Sequence, residues 1–251
     1  LTKLAPTDGS VSLQKITTQM GVLVLAGPRA RDVLQKLTDT DLGNDNFKWL
    51  TGKAINVGYA QAEALRVNFV GELGWELHHP IEMQNYIFDQ LMKAGAEFDI
   101  KPFGIRAMDA MRLEKSYRLI PREMSIEYAA LESGLDRFVK LDKPCDFVGK
   151  EALKAWQQRG FVNAFATLEV HGIKDADARG SEGLYKDGVL VGRATSGGYG
   201  FRTEKSLALG IVKADYAAVG TELEIEILGE RYRATVIEES PFDPDNVALR
   251  A

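Results

Sequence analysis

The sequence predicts an α+β protein whose C-terminal part is a small β-barrel or sandwich. Two observations carry this. Segments with apolar residues at helical spacing end before Gly160, and from there to Glu239 the chain reads as short strands divided by glycines. The stretch TELEIEILGERYRATVI alternates strictly, with Leu223, Ile225 and Ile227 on one face and Glu222, Glu224 and Glu226 on the other. A boundary near 150–160 then divides the chain into residues 1–155, mixed α+β, and residues 156–251, the barrel.

The elements follow in order. Residues 10–26 read as two short strands, and the second, GVLVLAG, is continuously apolar and expected to be buried. Gly27-Pro28 marks a turn, with Pro28 suited to the first helical position, and Val33, Leu34 and Leu37 repeat at helical spacing behind it. AEALRVNFV and GWELHHP read as two strands, with Gly71 and Gly74 forming a hairpin or tight turn between them. Residues 82–95 read as a helix through Tyr86, Ile87, Leu91 and Met92, closed by Gly95. GIRAMDAMRLEKSYR reads as a further helix, and a last one spans about 150–158. In the barrel region, AFATLEV, GLYKDGVLVGRATSGG and SLALGIV are strands, and Gly229 with Glu230 turns the final hairpin.

Bulk properties narrow the function classes. The chain has 251 residues, a formal net charge of −5 and 45% hydrophobic residues, a balance suited to a folded core and not to a nucleic-acid-binding face. No apolar run reaches the roughly 18 residues of a membrane span. A single cysteine, Cys145, leaves no partner for an intrachain disulfide and points to a reducing compartment. The chain opens on Leu1 with no secretory pattern, so it is expected to be a processed or partial piece of something longer.

Among the motifs, TSGGYG (residues 195–200) lacks the Gly-Lys-Ser/Thr ending of a P-loop and the spacing of a dinucleotide loop, and reads as a β-turn. His78 and His79 are adjacent on a strand and point to opposite faces, so they do not form a metal site, and none is expected. Cys145 follows Pro144 without a neighbouring histidine and reads as an inert thiol. Glu72 and Glu76 lie in NFVGELGWELHHP. A strand places Glu76 opposite to Trp75 and Leu77, buried if the sheet is covered on both faces. A buried carboxylate needs a partner. It is either a structural ion pair with Arg66, Arg112 or Arg118, or a carboxylate that accepts two parallel N–H bonds from a heterocycle. The residues alone leave both readings open.

Five segments, GVLVLAGPRARDVLQKLT, NFVGELGWELHHP, FGIRAMDAMRLEKSYR, LESGLDRFVKLDKPCDFVGKEAL and VGRATSGGYGFRTEKSLALGIV, stand in order and together resemble the folate-binding, aminomethyltransferase-like half of dimethylglycine and sarcosine dehydrogenases. That half is similar to the glycine-cleavage T-protein. The wording GELGWEL and MRLEKSYR resembles the dehydrogenase branch. The resemblance implies an aminomethyltransferase folate-binding domain, incomplete at its N-terminus, followed by the barrel. It also implies that Glu76 holds the pterin ring, that Phe69 (tyrosine in relatives) faces folate, and that Tyr117 contacts it. Met108 stands where T-proteins carry a folate-binding arginine, with Arg106 as a substitute. Glu72 is left as a loop-stabilising carboxylate.

The family's proposed catalytic aspartate falls upstream of the segment matching Leu1, so no catalytic residue is assigned here. The resemblance implies tetrahydrofolate as cofactor and a small N-methyl amine as substrate. FAD would belong only to a domain upstream of this chain, if one is present; the partners implied are such a flavin domain or a partner subunit, and neither nucleic acid nor membrane. The module would form 5,10-methylenetetrahydrofolate. The alternatives are a free-standing T-protein-like aminomethyltransferase, a folate-dependent demethylase, or a non-catalytic folate-fold binder. The compartment implied is bacterial cytoplasm or mitochondrial matrix.

Overall fold

The computed structural model describes residues 2–173 and 175–251. They form two compact units: one takes the residues through Asn68, Glu72–Pro102 and Ala248–Ala251, the other Phe69–Gly71 and Phe103–Val247.

The first unit is built on a four-stranded antiparallel sheet. Its strands are β1 (Met20–Ala26), β2 (Gly52–Val57), β3 (Ala60–Leu65) and β4 (Gly74–Pro80), in the order β1-β4-β3-β2. Helices α1 (Ala30–Gln35) and α2 (Gln84–Gly95) back one face. Alternation decides which side chains meet them. Leu25, Ile55, Val57, Ala62, Ala64, Trp75 and Leu77 point inward and pack with Val33, Leu34, Ile87 and Leu91. Phe47 meets the Trp75 ring edge-on at 6.1 Å.

Here the structure corrects several expectations. Residues 10–19 are exposed and form no strand. GVLVLAG is not buried on both faces: β1 is an edge strand, and Val22 and Val24 are 45% and 43% exposed while Gly21 and Leu25 face the core. Pro28 lies two residues before α1. The connection from β3 to β4 runs over residues 66–73, too long for a tight turn. After α2 a 3-10 turn, Ala96–Phe98, carries the chain to Asp99, whose φ of 55° makes the left-handed stop assigned to Gly95. Gly95 itself is required by packing, because a Cβ there would sit 2.7 Å from Ile100.

In the second unit, α3 (Ile105–Leu113) ends five residues before the expected Arg118, and Ser116 takes a φ of 55°. Helix α4 (Lys150–Arg159) falls where the spacing placed it. Six antiparallel strands then close a barrel in the order β10-β5-β8-β7-β6-β9. They are β5 (Asn163–Val170), β6 (Gly183–Lys186), β7 (Val189–Gly200), β8 (Lys205–Lys213), β9 (Glu222–Ile227) and β10 (Glu230–Ile237). Leu223, Ile225 and Ile227 are buried inside, each contributing about 1.5–3 kcal/mol by transfer from water. The β9–β10 turn is Leu228-Gly229, one residue earlier than expected, with φ of 53° and 86°. TSGGYG is not a turn but the end of β7. Its glycines serve close approach: a Cβ on Gly197 would lie 2.7 Å from the Ala178 Cβ, and one on Gly198 3.1 Å from Leu113 of α3.

Candidate functional site

In the first unit, β4 buries Trp75 and Leu77 completely and turns Glu76 and His78 to the other face. Gly74 makes this possible at the entry to the strand, because a Cβ there would meet the Leu25 carbonyl oxygen at 2.4 Å. Glu76 is half-buried, not buried, and about 30% of its side chain is open to solvent. Its partner is none of the three expected arginines. Glu76 Oε2 lies 3.1 Å from His78 Nε2, and Glu76 Oε1 has no hydrogen-bond partner among the described residues.

Arg66 instead donates to the carbonyls of Phe47 (2.6 Å) and Ala251 (3.0 Å). Arg112 is held by Asp109, the Tyr117 carbonyl and Ser196, and Arg118 forms a two-pronged pair with Glu239. The reason is pleat geometry. Arg66 comes just after β3 and stays with the core side, while Glu76 faces away from it. Strand register sets the surroundings of Glu76: Val24 of β1 is its partner on one side and Leu65 of β3 on the other. His78 stands between Val22 and Glu63. A shallow cleft of about 450 Å³ on this face is lined by Met20, Asn56, Gln61, Glu63 and His78, among others.

His79 points inward, with its ring nitrogens 2.8 Å from the Leu77 carbonyl and the Gln84 side-chain oxygen, so the two histidines do diverge. Among the described residues no cluster of His, Cys, Asp or Glu could hold a metal ion, and Cys145 is exposed. No helix of the described residues is long and apolar enough to cross a membrane.

The second unit brings together the other two residues singled out in the sequence. Phe69 and Tyr117 stack with ring centroids 5.6 Å apart and planes 26° apart. Burial raises the Tyr117 hydroxyl pKa above the ordinary 10.0; Arg137 opposes this and Asp243 adds to it. Gly71 has a φ of 77°, and a Cβ there would lie 2.5 Å from Cγ of Lys115. Lys115 is itself buried and donates to the carbonyls of Phe242 (3.0 Å) and Asp243 (2.5 Å). Thus the first glycine of GELGWEL and the lysine of LEKSYR occupy adjoining space, and both the positive φ and this close approach favour glycine at 71. Arg106 is exposed and Met108 half-buried on α3.

Sequence reasoning missed the most buried acid of this unit. Glu123 is fully buried and accepts from Leu119 N (2.8 Å), Thr195 Oγ1 (2.6 Å), Ser196 Oγ (2.5 Å) and Arg112 Nη1 (3.4 Å). Its hydroxyl partners lie more than 70 residues away, so no local pattern announces it. Glu114 is likewise buried, receiving Arg202 Nε at 2.5 Å and the amides of Arg202 and Thr203.

The chain holds a helix-backed antiparallel sheet and a six-stranded closed barrel, and the run Gly71–Glu76 leads from a loop into β4. The GCVT N-terminal domain model matches residues 1–143, and the glycine cleavage T-protein C-terminal barrel domain model matches residues 164–243. The chain belongs to the glycine-cleavage T-protein family. It is 44% identical to mitochondrial dimethylglycine dehydrogenase of Mus musculus over 91% of its own length and 26% of that protein. Mitochondrial sarcosine dehydrogenase of Mus musculus is 32% identical over 95% of this chain and 26% of its own length. An aminomethyltransferase of Desulfitobacterium hafniense is 33% identical over 90% of this chain and 61% of its own length. The chain therefore spans about a quarter of the dehydrogenases and three fifths of the aminomethyltransferase. In fold it is similar to the glycine cleavage system aminomethyltransferase T from Bartonella henselae, with a TM-score of 0.78 at 23% identity over 90% of this chain and 60% of that one.

Proposed function

We propose that this chain is a tetrahydrofolate-binding, one-carbon-transfer module, part of a longer flavin-dependent dehydrogenase of the dimethylglycine or sarcosine type. Within the whole enzyme a flavin-bearing part outside this chain oxidises a small N-methyl amine, and this module directs the released carbon into 5,10-methylenetetrahydrofolate. When bound, tetrahydrofolate supplies the amine nitrogens that accept the one-carbon unit.

The observation that carries the reading is the state of Glu76. It is a half-buried carboxylate on the sheet face opposite Trp75 and Leu77, with one oxygen uncommitted among the described residues and an apolar neighbour on each adjoining strand, Val24 and Leu65. An aminopyrimidone ring needs this combination: apolar ledges for its faces and an acceptor-only group for its paired N–H donors. None of the three arginines expected as ion-pair partners engages Glu76, and all three are used elsewhere. The role of this chain's residues is to bind and orient.

Calorimetric titration of the intact protein with tetrahydrofolate tests the reading. Glu76→Ala removes two bonds to a charged acceptor and is expected to weaken binding by about a hundredfold or more. Unchanged affinity in that variant, or no binding by the intact protein, overturns the proposal. Product analysis with an N-methyl amine separates a transferring module, which yields methylene-folate, from a non-catalytic binder, which leaves free formaldehyde.

A further inference from the structure

We infer that His78 is a positioning residue that holds the Glu76 carboxylate as a fixed, acceptor-only clamp and so sets selectivity for ring edges that carry two N–H donors. The inference rests on the reading of Glu76 as the ring-binding carboxylate.

The two side chains stand two residues apart on β4 and therefore share one face. His78 Nε2 is 3.1 Å from Glu76 Oε2 and is the hydrogen-bond partner of that side chain among the described residues. A carboxylate can only accept, so the contact requires the proton on His78 Nε2. A glutamate on an open face otherwise samples several rotamers, and ordering it on binding costs entropy. The histidine removes much of that freedom before a ligand arrives. It occupies one lone pair of Oε2 and leaves Oε1 without a partner among the described residues. What remains is an acceptor pair in a fixed orientation, flanked by Val24 and Leu65.

The imidazole is placed by its own strand neighbours. Val22 lies across from it on β1 and Glu63 on β3. Both oxygens of Glu76 are kept as acceptors, so a ring edge with an exocyclic amine beside a ring N–H is favoured over an edge that lacks the amine. Selectivity comes from the penalty on the mismatched ligand, whose binding leaves a desolvated carboxylate oxygen unpaired.

The experiment measures the affinity of the intact protein for tetrahydrofolate and for its 2-desamino analogue. His78→Leu is expected to weaken tetrahydrofolate binding about tenfold while changing analogue binding little, so that discrimination falls by the same factor. His78→Gln keeps an N–H donor on a side chain of similar reach and is expected to restore most of the discrimination. Thermal melting of each variant reports folding, and a merely structural histidine would lower both affinities together. Wild-type discrimination in His78→Leu, alongside its loss in Glu76→Gln, overturns the role of His78. Failure of His78→Gln to rescue overturns it as well. If Glu76→Gln itself leaves discrimination unchanged, the reading of Glu76 fails first and the inference falls with it.

Discussion

Arg112 and Glu123 are both fully buried and meet at 3.4 Å, with Ser196 Oγ bonded to each of them. A buried pair of this kind is held by its full set of partners more than by mutual attraction. Glu123 gathers the Leu119 amide and two hydroxyls of β7, so it fastens the loop after LEKSYR to the barrel. Glu123→Ala leaves the guanidinium buried with Asp109 as its remaining acid. We expect a loss of about 3–5 kcal/mol in urea unfolding, and a smaller loss for the double replacement of both residues by apolar side chains. A cost for Glu123→Ala of under about 1 kcal/mol would show that the network relaxes or is hydrated.

Gly95 gives a second prediction, against helix propensity. At an ordinary helical site Gly→Ala gains about 1 kcal/mol. Here the added Cβ would lie 2.7–2.8 Å from three carbons of Ile100, a β-branched side chain with little freedom to move aside. Gly95→Ala is expected to destabilise by about 1–3 kcal/mol. The double variant with Ile100→Ala, by chemical denaturation, should show the two changes coupled. Additive effects would rule out the clash as the cause.

These two cases also show what could be read from the sequence. The barrel strands were legible because inward and outward positions differ in chemistry: Leu223, Ile225 and Ile227 against Glu222, Glu224 and Glu226. GVLVLAG misled because every residue in it is apolar, and composition cannot say that Val22 and Val24 lie on an uncovered face of an edge strand. TSGGYG misled for the opposite reason, since glycine marks both turns and close packing, and only the position of Ala178 and Leu113 decides. At the candidate site, strand alternation gives the face of Glu76, opposite to Trp75 and Leu77, but not its burial. Its partner does not follow: arginine is the common partner of a buried carboxylate, whereas the histidine two residues along the same strand shares its face. Glu123 was invisible because its partners Thr195 and Ser196 are far off in sequence.

Tyr117 should mark the alkaline limit of the second unit. Burial holds its phenol pKa above 10.0, with Arg137 opposing and Asp243 reinforcing. In the unfolded chain the phenol ionises near the ordinary value, while in the folded one it stays protonated longer. Its stabilising contribution is therefore complete below the unfolded pKa and is lost as pH rises through the folded one. Tyr117→Phe is expected to flatten the fall of stability above about pH 10. Denaturation midpoints across that range check it. Parallel curves for the two proteins would place the shift in other groups.

The β9–β10 turn offers a gain. Its two residues, Leu228 and Gly229, both have positive φ, the arrangement in which a two-residue hairpin loop matches strand twist. Glycine adopts it freely, but a leucine in the left-handed region costs roughly 1–2 kcal/mol. Leu228 recovers nothing by packing, being 89% exposed. Asparagine tolerates the conformation and suits this turn, so Leu228→Asn is expected to stabilise by about 0.5–1 kcal/mol. For a domain of this size that is a rise in Tm of roughly 1–4 °C. Leu228→Val should move Tm the other way, because a β-branched residue is worse at positive φ. If both variants melt with the wild type, the turn is not under strain, and the leucine must adopt another conformation in solution.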